Sequence, residues 1–175
     1  MSFETRFTPE EQAVLTGLPN IIGSAMTFAE GSGLATVKEM IATSRSFLKG
    51  REVTGNEIIT GILPNMQSMD EVMQDSREMR GIVTERLKSH EVRSKEQLRD
   101  LALQDAANVA GILNAKAQPQ EAEQYKNWIL DIAEEVSKAA KEGGFLGFGG
   151  TQVSEGEKDL FADLAAALGV SRVMS

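Results

Sequence analysis

Four of the places where this chain sets a hydroxyl residue three positions before a glutamate or glutamine open a segment of apolar periodicity: Thr8-Pro9-Glu10-Glu11, Ser68-Met69-Asp70-Glu71, Ser94-Lys95-Glu96-Gln97 and Ser154-Glu155-Gly156-Glu157. In a capping box the hydroxyl accepts from the third helical N–H while the acid or amide reaches back to the N-cap amide, so each stretch marks a helix start. Downstream of each start, apolar residues repeat at three- and four-residue steps, the spacing of one helix face. A chain punctuated this way has little room for a sheet.

The first stripe runs Val14, Leu15, Leu18, Ile21, Ile22, Ala25, Met26 and Ala29, and Pro19 falls inside it. Proline cannot donate to the carbonyl four residues back, so the spacing predicts a kink here, or two helices abutting near Gly17. Gly31-Ser32-Gly33 breaks the helix, and Leu34, Val37, Met40, Ile41 and Leu48 mark a second one to pair with it as a hairpin. Asn56 caps a short segment with Ile58, Ile59 and Ile62 that Pro64 stops. The Ser94 helix carries Leu98, Leu101, Ala106, Val109 and Leu113. The helix opened by Pro119 has the clearest stripe, through Tyr125, Trp128, Ile129, Ile132 and Val136, with Glu134 and Lys138 paired outside it, and it is expected to be central. The last helix runs through Leu160, Phe161, Leu164 and Leu168 to Gly169. No segment alternates apolar and polar residues over a strand's length.

These elements predict an all-α fold, one domain over 1–175, a bundle of about six helices built from antiparallel helical hairpins. Residues 1–7 are expected as a flexible N-terminus, and 143–153 as a glycine- and phenylalanine-rich loop. The segments 21–42 and 129–162 read alike as helical hairpins, either by duplication or because any two hairpins share such patterning. At 175 residues, folding buries roughly two-thirds of the unfolded chain's surface, enough for a core.

Composition removes several kinds of chemistry. With no cysteine there are no thiolate metal sites, iron–sulfur clusters or cysteine nucleophiles. With 26 acidic and 18 basic side chains the net charge is −8, which disfavours nucleic acid as a partner. The densest basic run, from Arg86 to Lys95, also contains Glu91 and reads as a solvated helix end. No apolar run approaches the roughly 20 residues of a membrane span and no leader opens the chain, so a cytoplasmic protein without peripheral membrane contact is expected.

A helical di-metal site needs Glu-x-x-His pairs, and the single histidine, His90, sits at a polar helix end. Neither glycine loop supplies the alternating oxygens of an EF-hand, and no lysine or arginine lies between Gly143 and Glu157 to serve a phosphate loop. Hence no catalytic residue, metal ligand or cofactor is assigned, and the chain is not expected to be an enzyme.

Two groups of residues remain. Gly144, Phe145, Leu146, Phe148 and Gly149 form a loop that either folds back to plug one end of the bundle or presents apolar side chains to a partner protein or a membrane surface; a protein partner or self-association is the expectation for the chain as a whole. Tyr125 and Trp128, with Asp105 and Asn108 on the neighbouring helix, outline a possible ligand cavity; the alternative is that Asp105 and Asn108 sit on the solvated flank or tie adjacent helices. Surface carboxylates such as Asp131 and Glu135, one turn apart, offer a cation site or simply solubility.

The tail pattern, Ala140 to Gly143, Val153-Ser154, Glu157, Leu160, Leu164-Ala165 and Leu168-Gly169, resembles the TerB-like helical proteins associated with tellurite resistance and stress responses. The resemblance covers about the last quarter of the chain. It implies a compact cytosolic bundle acting in stress-related assemblies without turnover. Where those proteins tend to place an aspartate beside the interhelical glycine, this chain has Gly143-Gly144 and no acid before Glu155, so a metal role is not carried over. The expected function is therefore a non-enzymatic protein-interaction or stress-associated bundle, with a small-ligand or cation-binding helical protein as the alternative.

Overall fold

A computed structural model describes residues 2–29, 47, 49–53, 55–63, 69–142 and 153–174. Among the described residues there are seven α-helices and no strand: α1 (Phe3–Arg6), α2 (Pro9–Ala29), α3 (Glu57–Ile62), α4 (Met69–Ser89), α5 (Lys95–Lys116), α6 (Pro119–Glu142) and α7 (Glu155–Leu168), with a 3₁₀ turn at Gly50–Glu52. The all-α bundle follows from the start signals. Thr8 and Glu11, Ser94 and Gln97, and Ser154 and Glu157 each exchange the reciprocal bonds of a capping box. The box at Ser68, and most of the helix expected after Leu34, lie outside the described residues.

The hub is α2, which packs on α4, α5, α6 and α7. The helix expected to be central, α6, takes a place beside it. The cause is visible in composition: from Gln12 to Ala29 the chain has no charged residue, so α2 can be enclosed on most sides, and Gly17, Pro19 and Gly23 are buried along with its aliphatic stripe. One helix runs through Pro19; the chain does not divide at Gly17. Around α2, α5 packs on α7, and α6 on both α5 and α7. The core joins Leu15, Leu18, Ile22, Val109, Leu113, Ile129 and Leu164.

The described residues of the N-terminus, 2–7, lie against the bundle. Residues 3–6 form α1, and Phe3 and Phe7 are buried with ring centroids 5.4 Å apart. α1 lies on α3 at Gly61, where a Cβ would come within 2.5 Å of Phe3 Cβ. Arg6 fixes the same corner, 2.6 Å from Glu121 and 3.5 Å from Glu57. Burial pushes the Glu121 carboxyl up, but the bonds from Arg6 and the Gln118 amide outweigh it and leave it below its ordinary range. Asn56 completes the corner. Its Oδ1 accepts from Ile58 and Ile59 N–H to cap α3, and its Nδ2 donates to the Glu121 carbonyl and to Gln124, clamping α3 onto α6.

Two helices end in the same way with different residues. After α7, Gly169 adopts left-handed backbone, with its amide bonded to Ala166 and that of Val170 to Ala165. After α4 the same pair of bonds forms from Glu91 to Lys88 and from Val92 to Leu87, but the left-handed position holds Glu91, at φ 50°. A side chain there costs about 1 kcal/mol relative to glycine. Glu91→Gly is therefore expected to raise the melting temperature by about 2–4 °C. An unchanged or lowered melting temperature would mean that the Glu91 side chain stabilises the turn.

Candidate functional site

Because α2 is enclosed, its backbone cannot rely on water where a hydrogen bond is missing. Pro19 has no N–H, so the carbonyl of Leu15, four residues back and fully buried, loses its helical donor. The Tyr125 hydroxyl, reaching across from α6, donates to that carbonyl at 2.7 Å. The ring is fully buried and stands edge-on to Trp128, centroids 5.7 Å apart, and Trp128 in turn packs against Phe47 at 5.5 Å. Tyr125 thus fills a gap in the backbone of the central helix. Burial, reinforced by the nearby Asp105 carboxylate, pushes the hydroxyl well above its usual value near 10.

Asp105 on α5 is also fully buried, and both its oxygens face the Arg86 guanidinium of α4, with Nε 2.7 Å from Oδ2. The fork geometry suits a bidentate pair. It ties α4 to α5. Of the four residues expected to outline a cavity, Tyr125, Trp128 and Asp105 are buried in packing and Asn108 is exposed. Three are thus drawn into the interior, where the bonds of Tyr125 and Asp105 join helices; Asn108 does not meet them there.

The acidic face is similarly occupied. Glu134, which would be exposed on an isolated helix, is buried beneath the C-terminal segment and contacts Lys138 at 2.8 Å and Arg172 at 2.7 Å. Arg172 also meets Asp131 at 2.7 Å, and Glu135 meets Lys49 at 3.3 Å. The Asp131 and Glu135 pair, a cation site by sequence spacing, is divided between two different cations. Among the described residues no three acidic or histidine side chains gather to hold a metal ion. The Ser137 hydroxyl, buried on α6, has no hydrogen-bond partner among the described residues. Gly144, Phe145, Leu146, Phe148 and Gly149 lie outside the described residues.

Several clefts remain open among the described residues, and two of them differ in how their cations are used. One of about 760 Å³ separates the α5–α6 turn from the C-terminal segment, but Arg172 at its edge is committed to Asp131 and Glu134. The other, about 370 Å³, lies between α2, α4 and α5. Its walls are Ile21, Phe28, Val83, Leu87, Val92 and Leu98, and among the described residues the only ionisable side chains lining it are Arg93 and Lys95. Both cations are exposed; Arg93 approaches Glu91 only at 3.9 Å, and Lys95 forms no ion pair among the described residues. In a chain of net charge −8 this is a cationic, apolar cleft.

No protein-family model, curated protein or solved structure matches the chain.

By sequence, Arg86 to Lys95 is one solvated run. The helix end divides it: Arg86 turns inward to Asp105, while Arg93 and Lys95 face the cleft. The Pro19 and Tyr125 connection also has a sequence signal, because a proline inside an uncharged helix requires a donor from elsewhere and the chain has one tyrosine. That single tyrosine makes a direct test possible. Its folded-state value is raised, so its contribution to stability is present below pH about 10 and is lost as pH rises through the folded-state value. A spectrophotometric titration is expected to show tyrosinate only well above pH 10, together with loss of helicity. Ionisation near pH 10 with helicity intact would contradict the buried bond.

Proposed function

We propose that the chain is a non-enzymatic helical bundle that acts by binding a protein partner. The observation that carries this reading is how the interior uses its polar groups. Tyr125, Asp105, Asn56 and Glu134 each join one element to another, and Glu157 caps α7. Groups that could have been tuned for proton transfer are held in structural bonds. The likeness of the tail to TerB-like bundles points to the same role and adds stress-related assemblies as its setting.

A second reading, a small-ligand-binding protein, is favoured by the cleft between α2, α4 and α5. Its volume falls within the roughly 300–1,000 Å³ of small-molecule sites, and apolar walls with a few placed polar groups are typical of them.

Native mass spectrometry of the protein isolated from its own cells separates the two readings. The interaction reading expects the chain to carry the mass of a second polypeptide. A retained mass of a few hundred daltons would favour the ligand reading instead. A bare chain at every concentration would contradict both.

A further inference from the structure

We infer that the cleft between α2, α4 and α5 takes a free single-chain amphiphile with an anionic head, a carboxylate on an aliphatic tail of the fatty-acid kind. The inference rests on the small-ligand reading and gives it a ligand class. Four features of the cleft carry it.

The walls are hydrocarbon. Phe28, Val83, Leu87 and Val92 are only half-buried although each packs against the core, so a chain laid over them would remove apolar surface from water. The charge is one-sided: among the described residues Arg93 and Lys95 line the cleft and no acidic side chain does, in a molecule with 26 acidic and 18 basic residues overall. The cations also lie together. Arg93, Ser94 and Lys95 are consecutive at the start of α5, whereas Val83 and Leu87 lie one turn apart on α4, which separates a place for a head from a place for a tail. Finally, the cations are available. Arg86 and Arg99 nearby are spent on Asp105 and Asp163, but Lys95 has no ion pair among the described residues and Arg93 only its long contact with Glu91. A volume of about 370 Å³ suits one small molecule better than a helix laid along a long groove.

Attraction between the head and two exposed cations alone would be weak and screened by salt. Affinity must therefore come from the tail, while the cations select the head. Tail length should tighten binding by about fourfold per methylene until the cleft is full.

The test is calorimetric titration of the full chain with decanoate and laurate, each below its micelle concentration, with methyl resonances of Val83 and Leu87 followed by NMR. One-to-one binding is expected, tighter for laurate, with shifts centred on those two methyls. Arg93→Glu with Lys95→Glu should weaken laurate by about tenfold. Ser24→Trp, at an exposed position lining the cleft, should abolish binding without changing helicity or melting temperature. Dodecanol binding as tightly as laurate, with the charge reversal inert, would overturn the anionic assignment while the small-ligand reading stands. Tight binding only to vesicles of phosphatidylcholine and phosphatidylglycerol would also overturn it, making a membrane the occupant. Laurate and dodecanol both failing to bind the wild-type chain would overturn the assignment and remove the cleft as support for the small-ligand reading.

Discussion

The bundle depends on one hydrogen bond, from the Tyr125 hydroxyl to the Leu15 carbonyl. A helix without charge over residues 12–29 can serve as the hub only if its backbone is satisfied without water, and Pro19 removes a donor in the middle of it. An unpaired buried carbonyl costs about 1–3 kcal/mol, a sizeable part of the net stability of a domain this size. Tyr125 supplies the donor from α6 and so fixes the relation between the hub and its neighbour. Trp128 and Phe47 then pack around the ring, so the aromatic cluster is organised by a backbone requirement.

The remaining polar contacts work outward from that pair. Asn56 and Arg6 hold α1 and α3 against the start of α6, Arg172 draws the C-terminal segment over Glu134, and Arg86 fastens α4 through Asp105. Each joins parts of the chain that the apolar core alone would position less uniquely. The last of these has a functional consequence. Fastening α4 near its C-terminal end sets the turn beyond it, and that turn carries Arg93 and Lys95 to the rim of the cleft beneath which Val83 and Leu87 remain partly open. The same run of basic residues thus contains a structural cation, Arg86, and two at the cleft, Arg93 and Lys95.

Helix starts are legible from sequence wherever the chemistry is local. The boxes at Thr8, Ser94 and Ser154, the Asn56 cap and the Gly169 stop depend on residues within a few positions of each other. What escapes is long-range. Phe3 is buried only because Gly61, far along the chain, leaves room for it, and Glu134 is buried only because Arg172 returns to cover it. Asp105 is legible as a residue that can tie helices, but its partner cannot be chosen from Lys and Arg scattered along the sequence. The cleft escapes for the same reason, since its walls come from three helices and its cations belong to a run that has the pattern of a solvated end.

The link between Pro19 and Tyr125 is tested most directly by a double-mutant cycle in urea unfolding. In the wild-type background Tyr125→Phe is expected to cost about 1–3 kcal/mol, because Leu15 is left with no donor. In a Pro19→Ala background the restored N–H serves that carbonyl, and the same substitution is expected to cost about 0.5 kcal/mol, a coupling of about 0.5–2.5 kcal/mol between residues on different helices. An equal cost in both backgrounds would show that the hydroxyl does not serve the proline gap, and would contradict the dependence of the bundle on that bond.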